Sequence, residues 1–223
     1  MSMYRLFLPA AAALAMACAP HAQAADAATQ VFSAFSHCDS QLFSTLAKVQ
    51  LPAATVVLSR QGDVASPRVM NPLQPGGRYQ AFEHPLVVNG VRLTGYYNEA
   101  SSLGEQGNLL YWGFTAEGDA KTVAERLAPL IADHARMGLE RGEQVRSEMR
   151  RVGDPIDQWR TDNPIGSGVA TPFGFVERVL EISGKDTTPE LRGQVTLLCS
   201  LQGTVTAPLL QVYRPDLNAH LLD

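Results

Sequence analysis

The chain has 223 residues, and its 18 Lys and Arg residues against 22 Asp and Glu residues give a net charge of −4 at pH 7. This acidic balance argues against a nucleic-acid backbone held by bulk charge, so nucleic acid is not expected as a partner. After the N-terminal segment, no stretch approaches the roughly 20 consecutive apolar residues of a membrane-spanning helix.

The N-terminal segment has the pattern of a secretory signal peptide. Arg5 supplies a positive charge, and the apolar run that follows, LFLPAAAALAMACAP, is too short to span a bilayer. Ala22 and Ala24 provide the small residues of an A-x-A site, so we expect cleavage after Ala24. Residues 1–24 are thus predicted to be a signal peptide. Residues 25–223 are predicted to form a single globular α+β domain in the periplasm of a Gram-negative type envelope.

A second cleavage site stays open at Cys18. Cleavage before Cys18 would leave a cysteine that carries lipid, and the protein would then be an outer-membrane lipoprotein. Signals of that class usually have Leu three residues before the cysteine, whereas this chain has Ala15 there. The pattern therefore favours the periplasmic product without lipid.

The first predicted element is a helix that begins at an Asp26 N-cap and runs to about Val49. Its apolar residues recur at helical spacing, and Cys38 lies on the same stripe as Phe35. Near the C-terminus, the alternation in GQVTLLCSLQG predicts a strand with Cys199 on its apolar face. Export leads to an oxidising compartment, so we expect a disulfide between the two cysteines. Two separate buried thiols are the alternative.

A β-hairpin is the clearest local prediction. Asn89-Gly90 is a type I′ turn dipeptide between two alternating segments, so Val88 is expected opposite Val91. The same register places His84 opposite Gly95 on the apolar face, which makes His84 a structural residue.

The strands around this turn have further signals. Pro85 lacks an N–H group, which predicts that its strand lies at a sheet edge or is bulged. A short strand is expected around residues 55–59, and NLLYWGFT, residues 108–115, is apolar on both faces, as a central strand would be.

A second helix is predicted over AKTVAERLAPLIADHARM, after an N-cap at Asp119 or Thr122. Pro129 should kink or split this helix, and Gly138 should end it. His134 falls on the apolar stripe, so we expect it in the core.

The assignments that follow are less distinct. RGEQVRSEMRRVG, which starts at Arg141, fits a helix or a strand, and its mixed charge predicts a solvated face. FGFVERVLEIS, residues 173–183, is ambiguous between helix and strand, and its alternation favours strand. LLQVY, residues 209–213, predicts a last strand. The segments that start at Gly107 and Gly193 share glycine and apolar positions, which is compatible with a duplicated meander.

An irregular stretch, residues 153–172, is long for a connection inside a compact domain, and such loops are often functional. Its polar and aromatic side chains make it a candidate ligand-binding loop, with a plain connector as the competing interpretation. The candidate residues are Asp154, Asp157, Trp159, Arg160, Asp162 and Asn163.

These elements together predict an α+β fold in which an N-terminal helix and a mid-chain helix pack on an antiparallel sheet of hairpins and meanders. The sequence has no metal, cofactor or phosphate-binding motif, so none of these groups is expected. The leading hypothesis is a non-catalytic exported module that binds an unknown protein or small molecule in the envelope. One alternative is an envelope hydrolase that uses carboxylates of residues 153–172. Another is a structural or assembly component that associates through the sheet edge near Pro85.

Overall fold

The computed structural model describes residues 19–52, 55–162, 169–185 and 188–218. Most of the predicted signal peptide and Asn163 of the candidate loop lie outside these ranges. The helices of the described residues are α1 (Ala19–Phe35), α2 (Gln41–Lys48), α3 (Ala120–Leu127) and α4 (Ala207–Tyr213). The strands are β1 (Leu58–Gln61), β2 (Val64–Pro67), β3 (Tyr79–Val88), β4 (Val91–Ser102), β5 (Asn108–Ala116), β6 (Gly138–Glu140), β7 (Glu143–Arg151), β8 (Phe175–Ser183) and β9 (Val195–Gly203). None of these helices is long and apolar enough to cross a membrane.

A seven-stranded antiparallel sheet organises the molecule, in the order β3-β4-β5-β9-β8-β7-β6. Within the described ranges, β1 and β2 form a separate hairpin. Side chains of all four helices join the apolar core on one face of the large sheet, which we call the helical face. The predicted α+β fold, with N-terminal and mid-chain helices on an antiparallel sheet, is therefore confirmed.

Two three-stranded meanders, β3-β4-β5 and β7-β8-β9, meet where β5 pairs with β9. Aligning Gly107 with Gly193 would equate Trp112 with Leu198. Trp112 lies on the helical face, whereas Leu198 lies on the opposite face. The two meanders are therefore similar in topology, but that sequence alignment does not match their faces.

The core lies between the helices and the helical face. Because side chains alternate along a strand, Leu110, Trp112 and Phe114 of β5 all enter it, while Tyr111 faces the other way. The Phe35 ring of α1 packs edge-on against the Phe114 ring, with centroids 5.1 Å apart. Burial of each such large apolar side chain contributes about 1.5–3 kcal/mol, so these contacts hold the helices to the sheet.

The N-terminal helical segment is broken in two. α1 ends at Phe35, α2 begins at Gln41, and Cys38 between them has a left-handed φ of 54°. The expectation of one helix from an Asp26 N-cap is wrong, since Asp26 lies inside α1. The apolar periodicity continues across the break because both helices bury their apolar side chains in one core.

Cys38 and Cys199 form the predicted disulfide, with their Cα atoms 5.3 Å apart. The bond joins the turn between α1 and α2 to β9, where Cys199 pairs with Trp112 of β5. Both cysteines are fully buried. The pairing is therefore confirmed, although Cys38 lies on a turn rather than on a helix.

The β3–β4 hairpin has the predicted turn. Asn89 and Gly90 both have positive φ, 46° and 76°, as a type I′ turn requires, and Val88 pairs with Val91. β3 is an edge strand, as Pro85 indicated.

The predicted register is wrong beyond Pro85. A register shift between Ala81 and Leu86 places Ala81, not His84, opposite Gly95, and the His84 side chain is exposed. Pro85, which has no N–H group to donate to the ladder, lies within this irregular stretch of β3. The space that Gly95 leaves is filled by the ring of Tyr79, with which a Cβ at that position would collide.

α3 begins as predicted, because Asp119 is its N-cap and accepts a 2.9 Å hydrogen bond from the Thr122 N–H group. It ends at Leu127, and Pro129 lies in a separate turn of 3₁₀ helix, residues 128–130. Pro129 therefore splits the segment as expected, whereas the predicted helix end at Gly138 is wrong. His134 lies in another 3₁₀ turn and is exposed rather than in the core.

Of the remaining secondary-structure predictions, one is confirmed and two are wrong. β8 confirms the strand interpretation of residues 173–183. Residues 209–213 belong to α4, not to a strand, and their buried side chains, including Leu209 and Tyr213, follow helical spacing. The solvated face predicted for β7 is also wrong, since Arg146, Glu148 and Arg150 are all buried on the helical face.

Candidate functional site

A groove of about 770 Å³ lies between α3, the two 3₁₀ turns that follow it and the β6–β7 hairpin at the sheet edge. Most of its lining is apolar. The apolar lining residues are Ala120, Ala124, Ala128, Ile131, Met137, Leu139 and Ile182. The polar lining side chains are Lys121, Glu125, His134 and Gln144, and Gly142 completes the wall.

The small side chains of α3 and the next turn create this space. Ala120, Ala124 and Ala128 recur every four residues, so they share one side of the chain and leave room between it and the hairpin. Ile131 and Ile182 form the floor, and both belong to the core. The groove is therefore an apolar cleft continuous with the core.

The turns that carry Ile131 and His134 are fixed by a buried arginine. Arg146 donates one hydrogen bond to the carbonyl oxygen of Ser36, at 2.7 Å, and another to that of Ala132. Ser36 in turn accepts a 2.9 Å hydrogen bond on its hydroxyl from the Ala132 N–H group. These bonds tie one wall of the groove to the end of α1, so the groove is largely pre-formed.

A buried ion cluster supports the same wall. Glu148 pairs with Arg136 and Arg178. Burial works to raise the pKa of Glu148, but Arg178 and Arg136 outweigh it and hold that pKa below its usual value. Glu148 therefore stays ionised, and it anchors the 3₁₀ turn that contains His134 and Arg136.

The rim of the groove carries polar groups of both signs. The Lys121 ammonium lies 3.9 Å from the Glu125 carboxylate, and both side chains are largely exposed. His134, which also lines the groove, is exposed. An apolar interior with a polar rim suits a ligand that has an apolar body and a polar end.

The structure brings only some of the candidate residues of the loop, residues 153–172, into contact with other groups. Asp157, Arg160 and Asp162 are exposed, and Asp154 accepts a 3.1 Å hydrogen bond from the Arg151 N–H group. Asp154 is the only carboxylate that lines the small cavity beside this part of the described chain. The two-carboxylate arrangement of a hydrolase therefore gains no support there.

Trp159 is held by contacts inside the protein. Its indole N–H donates a 2.6 Å hydrogen bond to the Tyr213 hydroxyl, and the two rings meet edge to face at 5.4 Å. The Arg178 guanidinium lies 4.6 Å from the Trp159 ring centroid. Trp159 thus fastens the loop to α4 and β8.

The sheet face opposite the helices, which we call the acidic face, carries several glutamates beside a small apolar cluster of Tyr97, Leu191 and Leu198. Burial, with nearby Glu181, Glu99 and Glu177, raises the pKa of Tyr111 to about 12. Burial, with Glu143, also raises the pKa of Glu181 to about 7. Sequence reasoning did not single out these residues, because strand alternation alone does not show which outward side chains are buried.

The groove was also missed at the sequence level. The alanine repeat in α3 was visible, but the hairpin that faces it is adjacent only in the folded chain. Within the described ranges, no group of three or more His, Cys, Asp and Glu side chains could hold a metal ion. No protein-family model, curated protein or solved structure matches the chain.

Proposed function

We propose that the protein is an exported, non-catalytic binding module whose groove between α3 and the β6–β7 hairpin takes an uncharged amphipathic small molecule. The observation that carries the proposal is the pre-formed apolar groove of about 770 Å³. Its volume falls within the roughly 300–1,000 Å³ that small-molecule sites occupy. Export rests on the leader pattern of residues 1–24.

The lining determines the class of ligand. Ala120, Ala124 and Ala128 offer a smooth apolar wall, and Ile131 and Ile182 offer an apolar floor, so the ligand needs an apolar body. Each Å² of these apolar surfaces that a ligand removes from water would make the free energy of binding more favourable by about 25 cal/mol.

The rim determines the polar end of the ligand. Lys121 and Glu125 carry opposite charges and lie 3.9 Å apart, so together they present no net charge to a ligand. A charged head group would meet one repulsive partner, whereas a neutral hydrogen-bonding head group can use Gln144 and the rim charges. The groove therefore favours an uncharged head group.

The test uses a matched pair of fluorescent probes, neutral N-phenyl-naphthylamine and its sulfonated analogue. We expect saturable fluorescence enhancement with the neutral probe and weaker binding of the sulfonate. Ala124→Phe fills the groove and should weaken binding of the neutral probe about tenfold or more, equivalent to at least about 1.4 kcal/mol.

Thr122→Phe is the control, since Thr122 lies on the exposed side of the same helix, outside the groove. It adds the same ring to α3 and should leave the affinity unchanged. Equal affinity in Ala124→Phe and the wild type, or an equal loss in both variants, would contradict the proposal. Tighter binding of the sulfonate would contradict the assignment of an uncharged head group.

A further inference from the structure

Gln144 is a polar side chain among apolar ones on the sheet side of the groove. It pairs across the sheet with Leu139 of β6 on one side and with Ile182 of β8 on the other. All three residues line the groove. Because cross-strand partners lie side by side on one face of a sheet, a ligand that contacts both Leu139 and Ile182 also covers Gln144.

The Gln144 amide makes no hydrogen bond to any other group of the described residues. The next side chain on this face of β7, Arg146, donates to the carbonyl oxygens of Ser36 and Ala132 instead. Gln144 is half-buried, and its amide is not among the unpartnered polar atoms that the fold seals from solvent. The amide is therefore open to the groove, and a ligand there can reach it.

A bound ligand removes the water that otherwise hydrates this amide. A polar group that loses water without gaining a new partner weakens binding by roughly one to two orders of magnitude. A site that carries such a group therefore rejects ligands that leave it unpaired more strongly than it rejects ligands of a slightly different size. In the α3 groove, Gln144 is placed to make this distinction.

The chemistry of the Gln144 side chain determines the complementary group on the ligand. A carboxamide has an acceptor oxygen and an NH₂ donor side by side in one plane. A primary carboxamide or a lactam in the ligand presents the same pair in the opposite order, so the two groups can form two parallel hydrogen bonds. A ketone satisfies only the NH₂ donor, and a carboxylate has only acceptors and carries a charge that is costly to bury.

We propose that the ligand of the groove carries a primary carboxamide or a lactam, and that Gln144 is the residue that selects it. This role rests on the proposed function, because the groove must be the binding site. The apolar body of the ligand lies against Ile131 and Ile182, and its amide lies over Gln144. Lys121 and Glu125 on the rim are largely exposed and keep their own hydration, so the selection falls to Gln144.

Three uncharged naphthalene derivatives of nearly the same shape test this role. They are naphthamide, acetonaphthone and isopropenylnaphthalene, all substituted at the same ring position, and they offer Gln144 a donor with an acceptor, an acceptor alone, and neither. Each compound is titrated against protein loaded with N-phenyl-naphthylamine, and displacement of that probe gives its dissociation constant. Comparing each compound between the wild type and a variant cancels the differences in the hydration of the compounds themselves.

Gln144→Met removes the amide and keeps the length of the side chain. We expect this variant to bind naphthamide about tenfold and acetonaphthone about threefold more weakly, and isopropenylnaphthalene at least as tightly as the wild type does. Gln158→Met is the control, since Gln158 is exposed and lies outside the groove. It should bind all three compounds as the wild type does. An equal change for all three compounds in Gln144→Met, or an equal loss of naphthamide binding in Gln158→Met, would refute the role of Gln144.

If Gln144→Met does not fold, Gln144→Glu decides. This variant keeps the shape of the side chain but has only acceptor oxygens, so it should weaken acetonaphthone more than naphthamide, which can still donate its NH₂ group. The reverse order would overturn the proposal. A wild type that binds neither the probe nor any of the three compounds would overturn the groove as a binding site. Binding of all three with the same relative affinities in the wild type and in Gln144→Met would overturn only the amide assignment.

Discussion

Glu181 is the residue whose environment most directly couples the fold to pH. It lies on the acidic face of the sheet, where burial and the neighbouring Glu143 disfavour its charged form. Glu143 is itself held by Lys185, 3.3 Å away, and accepts a hydrogen bond from Ser183. Lys185 offsets only part of the penalty, so the pKa of Glu181 rises from 4.5 to about 7.

We predict that the protein loses stability as the pH rises from about 4.5 to 7. The folded state keeps the Glu181 proton over this range while the unfolded chain releases it, so deprotonation favours unfolding. The whole rise from 4.5 to about 7 corresponds to about 3 kcal/mol, and that difference stays constant above pH 7. Glu181→Gln should remove this part of the pH dependence, measured by urea unfolding at pH 5 and pH 8.

Glu105→Gln is the matched control, because Glu105 is exposed. It should keep the pH dependence of the wild type. If Glu181→Gln and the wild type lost equal unfolding free energy between pH 5 and pH 8, Glu181 would not be the group responsible.

The element scale is best illustrated by Gly95, where β3 and β4 meet. A Cβ at this position would collide with the ring of Tyr79, whose hydroxyl lies 3.1 Å from the Gln194 side-chain oxygen and 3.2 Å from the Thr115 hydroxyl. Because Gly95 has no side chain, the ring of Tyr79 on the edge strand β3 can pack against the sheet. This contact follows from the shifted register and would not exist in the unbulged one.

We predict that Gly95→Ala lowers the free energy of unfolding by about 1–2 kcal/mol, because the Tyr79 ring must move and lose these hydrogen bonds. His84→Ala should change it by no more than about 0.5 kcal/mol, since His84 is exposed. Urea unfolding of the two variants checks both values. If His84→Ala lowered the free energy of unfolding more than Gly95→Ala, the result would instead favour the register that places His84 opposite Gly95.

Elements with local signals were predictable from the sequence. The Asn89-Gly90 turn, the Asp119 cap and the apolar β5 strand each depend on residues within a few positions. The position of His84 was not predictable in this way, because the pairing of β3 with β4 is irregular between Ala81 and Leu86, so counting residues outward from the turn gives the wrong partner.

Some errors came from patterns that fit two structures. The short apolar run of α4 also fits a strand, and its helix signals, Thr206 at the N-cap and Pro208 in the first turn, lie just before that run. The charges of β7 suggested solvent, yet Arg146 is buried because distant carbonyl groups of Ser36 and Ala132 accept its hydrogen bonds. The groove likewise joins segments that no local pattern connects.

At the scale of the whole molecule, one covalent bond links the N-terminal helices to the centre of the sheet. The Cys38–Cys199 disulfide closes a loop with a sequence separation of 161 residues and attaches to β9, which lies between β5 and β8. Because both cysteines are fully buried, a reductant reaches the bond only when the surrounding core opens. In the chain-entropy model, the bond stabilises the protein mainly by restraining the unfolded chain.

We predict that loss of this bond lowers stability and leaves the groove intact. The chain-entropy model gives roughly 5 kcal/mol as an upper figure for a loop of this length. For a protein of this size, 1 kcal/mol corresponds to about 2–4 °C in the melting temperature, so Cys38→Ala with Cys199→Ala should melt roughly 10 °C lower. Fully reduced wild type is the control that separates the cross-link from packing, because it keeps both sulfur atoms in the core. It should melt between the oxidised protein and the double variant, with binding of the neutral probe unchanged in the folded fraction of all three. A double variant as stable as the oxidised protein would show that helix packing alone holds α1 and α2 on the sheet.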